Sequence, residues 1–169
     1  MLTLHTRIEE GAPVDGELVL PFHLREKSRL RAVLKSGEEV AVLRPRGTVL
    51  RGGDLLRGGD GPIVRIVRVV AEPEPVYRVE HPQATGLLRC AFHLGNRHTQ
   101  TEVGQGWLRI RADAVLREML LGLGAQVQDE LAAFEPEAGA YGGGHHHGAS
   151  HPLAPVPLRQ KIHRPSDLP

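Results

Sequence analysis

Five of the ten histidines lie beyond residue 144, as His145, His146, His147, His151 and His163. Neutral imidazole is a borderline-soft ligand that suits nickel, copper and zinc, and a histidine-bearing tail can wrap an ion with little strain. The competing reading is a solvated polar tail with no ligand role. A purification tag fits poorly, because His147 is followed by 22 further residues. A second group occurs in His93-Leu94-Gly95-Asn96-Arg97-His98. His93 falls in the last turn of an expected helix, where a cation meets the helix dipole and an imidazole can bond free carbonyls. His98 lies past the Gly95-Asn96 helix stop and is free to face solvent or a partner.

Other chemistries have little to work with. Cys90, the only cysteine, sits among Leu87, Leu88, Ala91 and Leu94, as expected of a small packed hydrophobe. Ser28, Ser36, Ser150 and Ser166 lack a nucleophile-elbow context, and no glycine loop leads into a helix through a lysine. No enzyme is expected. One cysteine cannot form an internal disulfide, which favours a reducing compartment, and no apolar run approaches the roughly 20 residues that cross a bilayer. The chain reads as cytoplasmic, without a membrane partner. With 21 Lys and Arg against 20 Asp and Glu, the formal charge is +1, too little for a nucleic-acid partner.

The elements that must position these residues fall into two patterns. Up to residue 72, β-branched runs alternate with turns: Glu17 to Leu20, Leu30 to Leu34, Glu39 to Leu43, Thr48 to Leu50 and Ile63 to Val70. Gly52-Gly53 and Gly58-Gly59 read as turn residues between them. Five or six strands in this length imply a small barrel or sandwich. Ala71-Glu72-Pro73-Glu74-Pro75 reads as a stiff extended linker and marks the domain boundary.

Beyond it come a strand at Val76 to Glu80, a helix opening at Pro82 with Ala84, Leu87, Leu88, Ala91 and Leu94 on its apolar face, and a hairpin around Gly104-Gln105-Gly106. A helix capped by Asp113 and a strand over Ala125 to Leu131 follow. Strand, helix, strand, strand, helix, strand is the ferredoxin-like order. From Glu135 onward order is expected to fail. The fold class is therefore α+β: residues 1–72 a β-rich barrel or sandwich, 73–141 a ferredoxin-like (βαββαβ) domain, and 142–169 a flexible histidine-containing tail.

Arg89 to His98, Asp113 to Leu120, Phe134-Glu135-Pro136-Glu137-Ala138-Gly139-Ala140-Tyr141 and Arg46 to Leu56 together resemble the UreE family of urease accessory nickel metallochaperones. The resemblance implies a peptide-binding-like first domain and a homodimer formed through the second. It further implies that His98 of both subunits binds one Ni²⁺ across the interface, that tail histidines complete the coordination, and that the ion passes to the urease accessory GTPase and the apo-urease maturation complex. The strip Arg25, Lys27, Arg29 and Arg31 is a candidate contact there. Some members carry histidine beside the aspartate of the second helix; here Ala112 and Ala114 stand in those places, so auxiliary ligands are not expected.

Zn²⁺ or Cu²⁺ should substitute in vitro, since ligand chemistry places copper highest whatever the biology. The competing function is a general Ni, Cu or Zn buffer without a dedicated client. Metal binding requires neutral imidazole, so affinity should fall as pH drops through about 6.5.

Overall fold

The computed structural model describes residues 1–9, 13–60 and 62–138. The first lobe holds six strands and a single helical turn: β1 (Leu2–Ile8), β2 (Gly16–Leu20), α1 (Phe22–Arg25), β3 (Arg29–Val33), β4 (Glu39–Leu43), β5 (Leu55–Asp60) and β6 (Ile63–Ala71). They form one sheet in the order β2-β6-β5-β1-β4-β3, with β1·β4 and β2·β6 parallel and the other pairs antiparallel. The sheet curls almost into a barrel. Its two edges meet where the Lys35 amide donates to the Glu17 carbonyl at 2.9 Å, and the Lys35 ammonium pairs with the Glu17 carboxylate at 3.0 Å. Alternate residues of each strand, including Leu4, Leu18, Val40, Val42, Leu56, Val67 and Val69, point inward as one fully buried core.

The second lobe holds β7 (Pro73–Glu80), α2 (Ala84–Asn96), β8 (Glu102–Gly104), β9 (Trp107–Arg111), α3 (Ala114–Gly122) and β10 (Gln126–Ala133). Its sheet runs β10-β7-β9-β8, all pairs antiparallel, which is the strand order of the ferredoxin-like fold. Tyr77, Val79, Leu108 and Ile110 of the sheet pack with Cys90 and Leu94 of α2 and Leu120 of α3. The two helices thus cover one sheet face. Asp113 caps α3 by accepting the Leu116 amide at 2.9 Å.

Several local expectations are corrected. Thr48 to Leu50 is irregular rather than a strand, and Ala71 to Pro75 is no linker: β6 runs to Ala71 and β7 begins at Pro73, leaving only Glu72 between them. Both prolines fit because Pro73 opens the strand and Pro75 lies past the end of the β9 pairing, where a missing N–H costs little. Gly58 and Gly59 lie inside β5, not in a turn. The α2 helix starts at Ala84, two residues later than expected.

The lobes are clasped at their junction. Arg25 of α1 is fully buried and donates to the carbonyls of Leu20, Leu50 and Phe134 and to the Glu135 carboxylate at 2.7 Å. Glu135 also accepts from Arg51 at 3.0 Å and from the Gly52 amide at 2.8 Å. Phe22 and Phe134 meet edge to face at 5.4 Å. Order therefore continues beyond Glu135, contrary to expectation, because that carboxylate neutralises a guanidinium the first lobe has removed from water. Arg25 is likewise not part of an exposed strip; Lys27, Arg29 and Arg31 are.

Candidate metal centre

His98 ends α2. Its φ is +52°, the only left-handed residue other than glycine among the described residues. The Thr99 amide donates to the Leu94 carbonyl at 3.1 Å and the His98 amide to the Gly95 carbonyl at 2.9 Å. This pairing closes a helix when the residue after the cap is left-handed, a place usually held by glycine. Gly95 and Asn96 are consequently the last helical residues, not the stop, and His98 itself turns the chain. Arg97 ties the same corner to α3 through the Met119 sulfur at 3.1 Å.

The exposed His98 side chain stands between two clefts. One, of about 550 Å³, lies at the lobe junction between Phe22, Arg51, Thr101 and the segment Pro136 to Ala138. The other, of about 540 Å³, is bounded by Glu26, Gln100, Arg111, Ala112 and Asp113. Its wall is a hydrogen-bonded row: Gln100 donates to Glu26 at 2.6 Å, and Arg111 donates to Gln100 at 3.2 Å. Ala112 contributes a methyl group to the lining of this cleft. On the first cleft, the Glu137 amide donates to the Thr101 carbonyl at 2.9 Å. That bond holds the last described residues beside His98.

The remaining candidates separate cleanly. His93 is half-buried in the last turn of α2, its ring edge-on to Phe92 at 5.5 Å, with no side-chain hydrogen bond among the described residues. Cys90 is fully buried, and burial pushes its thiol up despite the opposing charge of Arg89, so it remains a neutral packing group. His145, His146, His147 and His151 lie outside the described residues. Among the described residues no three His, Cys, Asp or Glu side chains converge on a common metal position. His98 therefore stands apart from any such cluster among the described residues.

Two residues have structural parts that sequence reasoning missed. His81 Nδ1 accepts the Gln83 amide at 3.0 Å at the start of α2, and its ring lies so close to Gly86 that any Cβ there would overlap it. Glu135 clasps the lobes as described. An acidic residue before Pro136 carries no periodic signal, and its two arginine partners are 84 and 110 residues away.

A near-closed β lobe is followed by a ferredoxin-like lobe, and His98 is displayed at the cleft where the two meet. Residues 3–69 match the UreE urease accessory protein N-terminal domain, and residues 74–163 the UreE urease accessory protein C-terminal domain. The chain is 66% identical to the urease accessory protein UreE of Janthinobacterium sp. (strain Marseille) over 175 residues, covering 99% of this chain and 98% of that one. It is 62% identical to that of Nitrosospira multiformis over 177 residues, with 100% and 99% covered, and 52% identical to that of Burkholderia lata over 155 residues, with 88% and 73% covered. The chain belongs to the UreE urease accessory protein family. No helix among the described residues is long and apolar enough to cross a membrane.

Proposed function

We propose that the protein is a cytoplasmic nickel metallochaperone, which binds Ni²⁺ through His98 of two subunits and hands it to the urease accessory GTPase and the apo-urease maturation complex. The observation that carries this reading is the placement of His98: a family-motif histidine fixed on a left-handed turn, exposed, at the cleft from which the chain continues toward its histidine-bearing end. One imidazole is a poor site, whereas two related by a two-fold axis supply half of one. Leu88 and Phe92, one turn apart on α2 and about two-thirds exposed, leave an apolar face that a second copy of the chain would cover.

The tail completes the coordination in this reading. His145 follows Ala138 by seven residues, a length of chain that spans at most about 25 Å, so His145, His146, His147 and His151 can reach the His98 cleft. Zn²⁺ and Cu²⁺ are accepted in vitro by the same ligands. The functional units are residues 1–72, 73–141 and 142–169, with the second unit carrying dimerisation and metal.

Equilibrium nickel binding on two variants tests this. His98→Ala should remain dimeric and lose the interfacial ion, whereas a chain ending at Tyr141 should keep one ion per dimer at lower total stoichiometry. In the intact protein, affinity should fall as pH drops through about 6.5, because protonated imidazole cannot ligate. Normal binding by His98→Ala together with none by the truncated chain reverses the ranking of the two histidine groups. In reconstituted urease activation at limiting nickel, a carrier raises the activated fraction and a buffer lowers it.

A further inference from the structure

A third cleft, of about 500 Å³, opens on the first lobe between β1 and the segment that follows β4. Arg7, Arg44 and Arg51 line it, with Thr48 and the apolar Val49 and Ala138 between them, and no Asp or Glu does so among the described residues. Two of the guanidiniums are compensated from behind. Arg7 pairs with Asp54 at 2.8 Å and Arg51 with Glu135 at 3.0 Å, although Glu135 is shared with the buried Arg25. Four arginines therefore answer to two carboxylates.

Arg44 is the member that no carboxylate touches directly among the described residues. It is half-buried, forms no ion pair among the described residues, and its Nη1 is buried without a hydrogen-bond partner. Buried polar nitrogens in folded proteins are almost always satisfied. Burial lowers the affinity of this guanidinium for its proton, opposed by Asp54 and aided by Arg7. An arginine still does not give up its charge near neutrality, so the charge remains to be answered.

We propose that this cleft docks an acidic segment of a partner protein, with Arg7 and Arg44 holding its carboxylates. Guanidinium forks suit carboxylates bidentately, and the apolar strips between them suit the intervening side chains. Ala138 lines both this cleft and the His98 cleft, so the docked segment would lie at the root of the histidine-bearing tail. The proposal does not depend on nickel and is tested on the metal-free full-length protein.

The probe is a blocked tetraglutamate peptide, followed by chemical-shift titration or calorimetry at two salt concentrations. Wild type should bind in a salt-sensitive manner, and Arg44→Gln should weaken binding by about fivefold or more. Lys35→Gln, at the seam of the barrel, should leave it unchanged. Arg44→Lys keeps the charge without the fork and should fall between; it decides the matter if Arg44→Gln fails to fold. Equal losses in Arg44→Gln and Lys35→Gln, no wild-type binding at millimolar peptide, or displacement by an equal concentration of inorganic phosphate would overturn the proposal.

Discussion

Left-handed backbone costs an L-residue about 1–2 kcal/mol relative to the right-handed region, and glycine avoids that cost. His98 adopts this conformation at φ +52° while its own amide and that of Thr99 donate the hydrogen bonds that close α2. The fold alone would be served better by glycine. His98→Gly is therefore expected to leave the metal-free protein more stable than His98→Ala by about 0.5–1 kcal/mol. Thermal unfolding of the two metal-free variants reads this directly. A glycine variant less stable than the alanine one would mean that the turn does not need a left-handed residue at 98. The place of His98 just past α2 was legible in Gly95-Asn96-Arg97-His98, but its backbone was not, since the glycine and asparagine are the natural candidates for a left-handed stop and α2 passes through both.

At the scale of elements, the lobes differ in how openly the sequence displays them. The second lobe was readable almost strand by strand, because Asp113 caps α3 and Gly104-Gln105-Gly106 turns the β8–β9 hairpin. In the first lobe β1 and β5 escaped. Strand β5 carries Gly58-Gly59, which reads locally as a turn, yet Gly58 lies opposite Leu4 where β1 bulges at His5. A Cβ on Gly58 would overlap the Thr3 carbonyl, so glycine is required there by a strand 55 residues upstream. Gly58→Ala should destabilise the protein by about 3 kcal/mol and lower its melting temperature by roughly 6–12 °C. Gly122→Ala meets nothing within 4 Å and should be neutral or slightly stabilising. Similar melting temperatures for the two variants would refute the close approach of β1 and β5. The missed features share a cause: Gly58, Arg25 and Glu135 each take their meaning from a residue distant in sequence, and periodicity sees only neighbours.

At the scale of the molecule, the lobes are joined chiefly through Glu135, which pairs with the buried Arg25 and with Arg51, and through the edge-to-face contact of Phe22 with Phe134. Glu135→Ala would leave Arg25 buried and unpaired, for which a loss of about 3 kcal/mol is expected. Denaturant unfolding should also broaden as the lobes lose their coupling, and an unchanged midpoint would show that Arg25 finds compensation elsewhere. Arg25 has a further consequence through its sequence separation. Its carboxylate and Phe134 carbonyl partners stand 110 and 109 residues downstream, while its Leu20 and Leu50 partners are 5 and 25 residues away. Any assembly of the first lobe before residue 135 leaves the ribosome would leave the Arg25 guanidinium without its carboxylate partner. The seal between the lobes can therefore form only after the chain has been made through Glu135. The segment Pro136 to Ala138, which lines the cleft beside His98, follows directly on Glu135 and is therefore placed there only once that seal has formed.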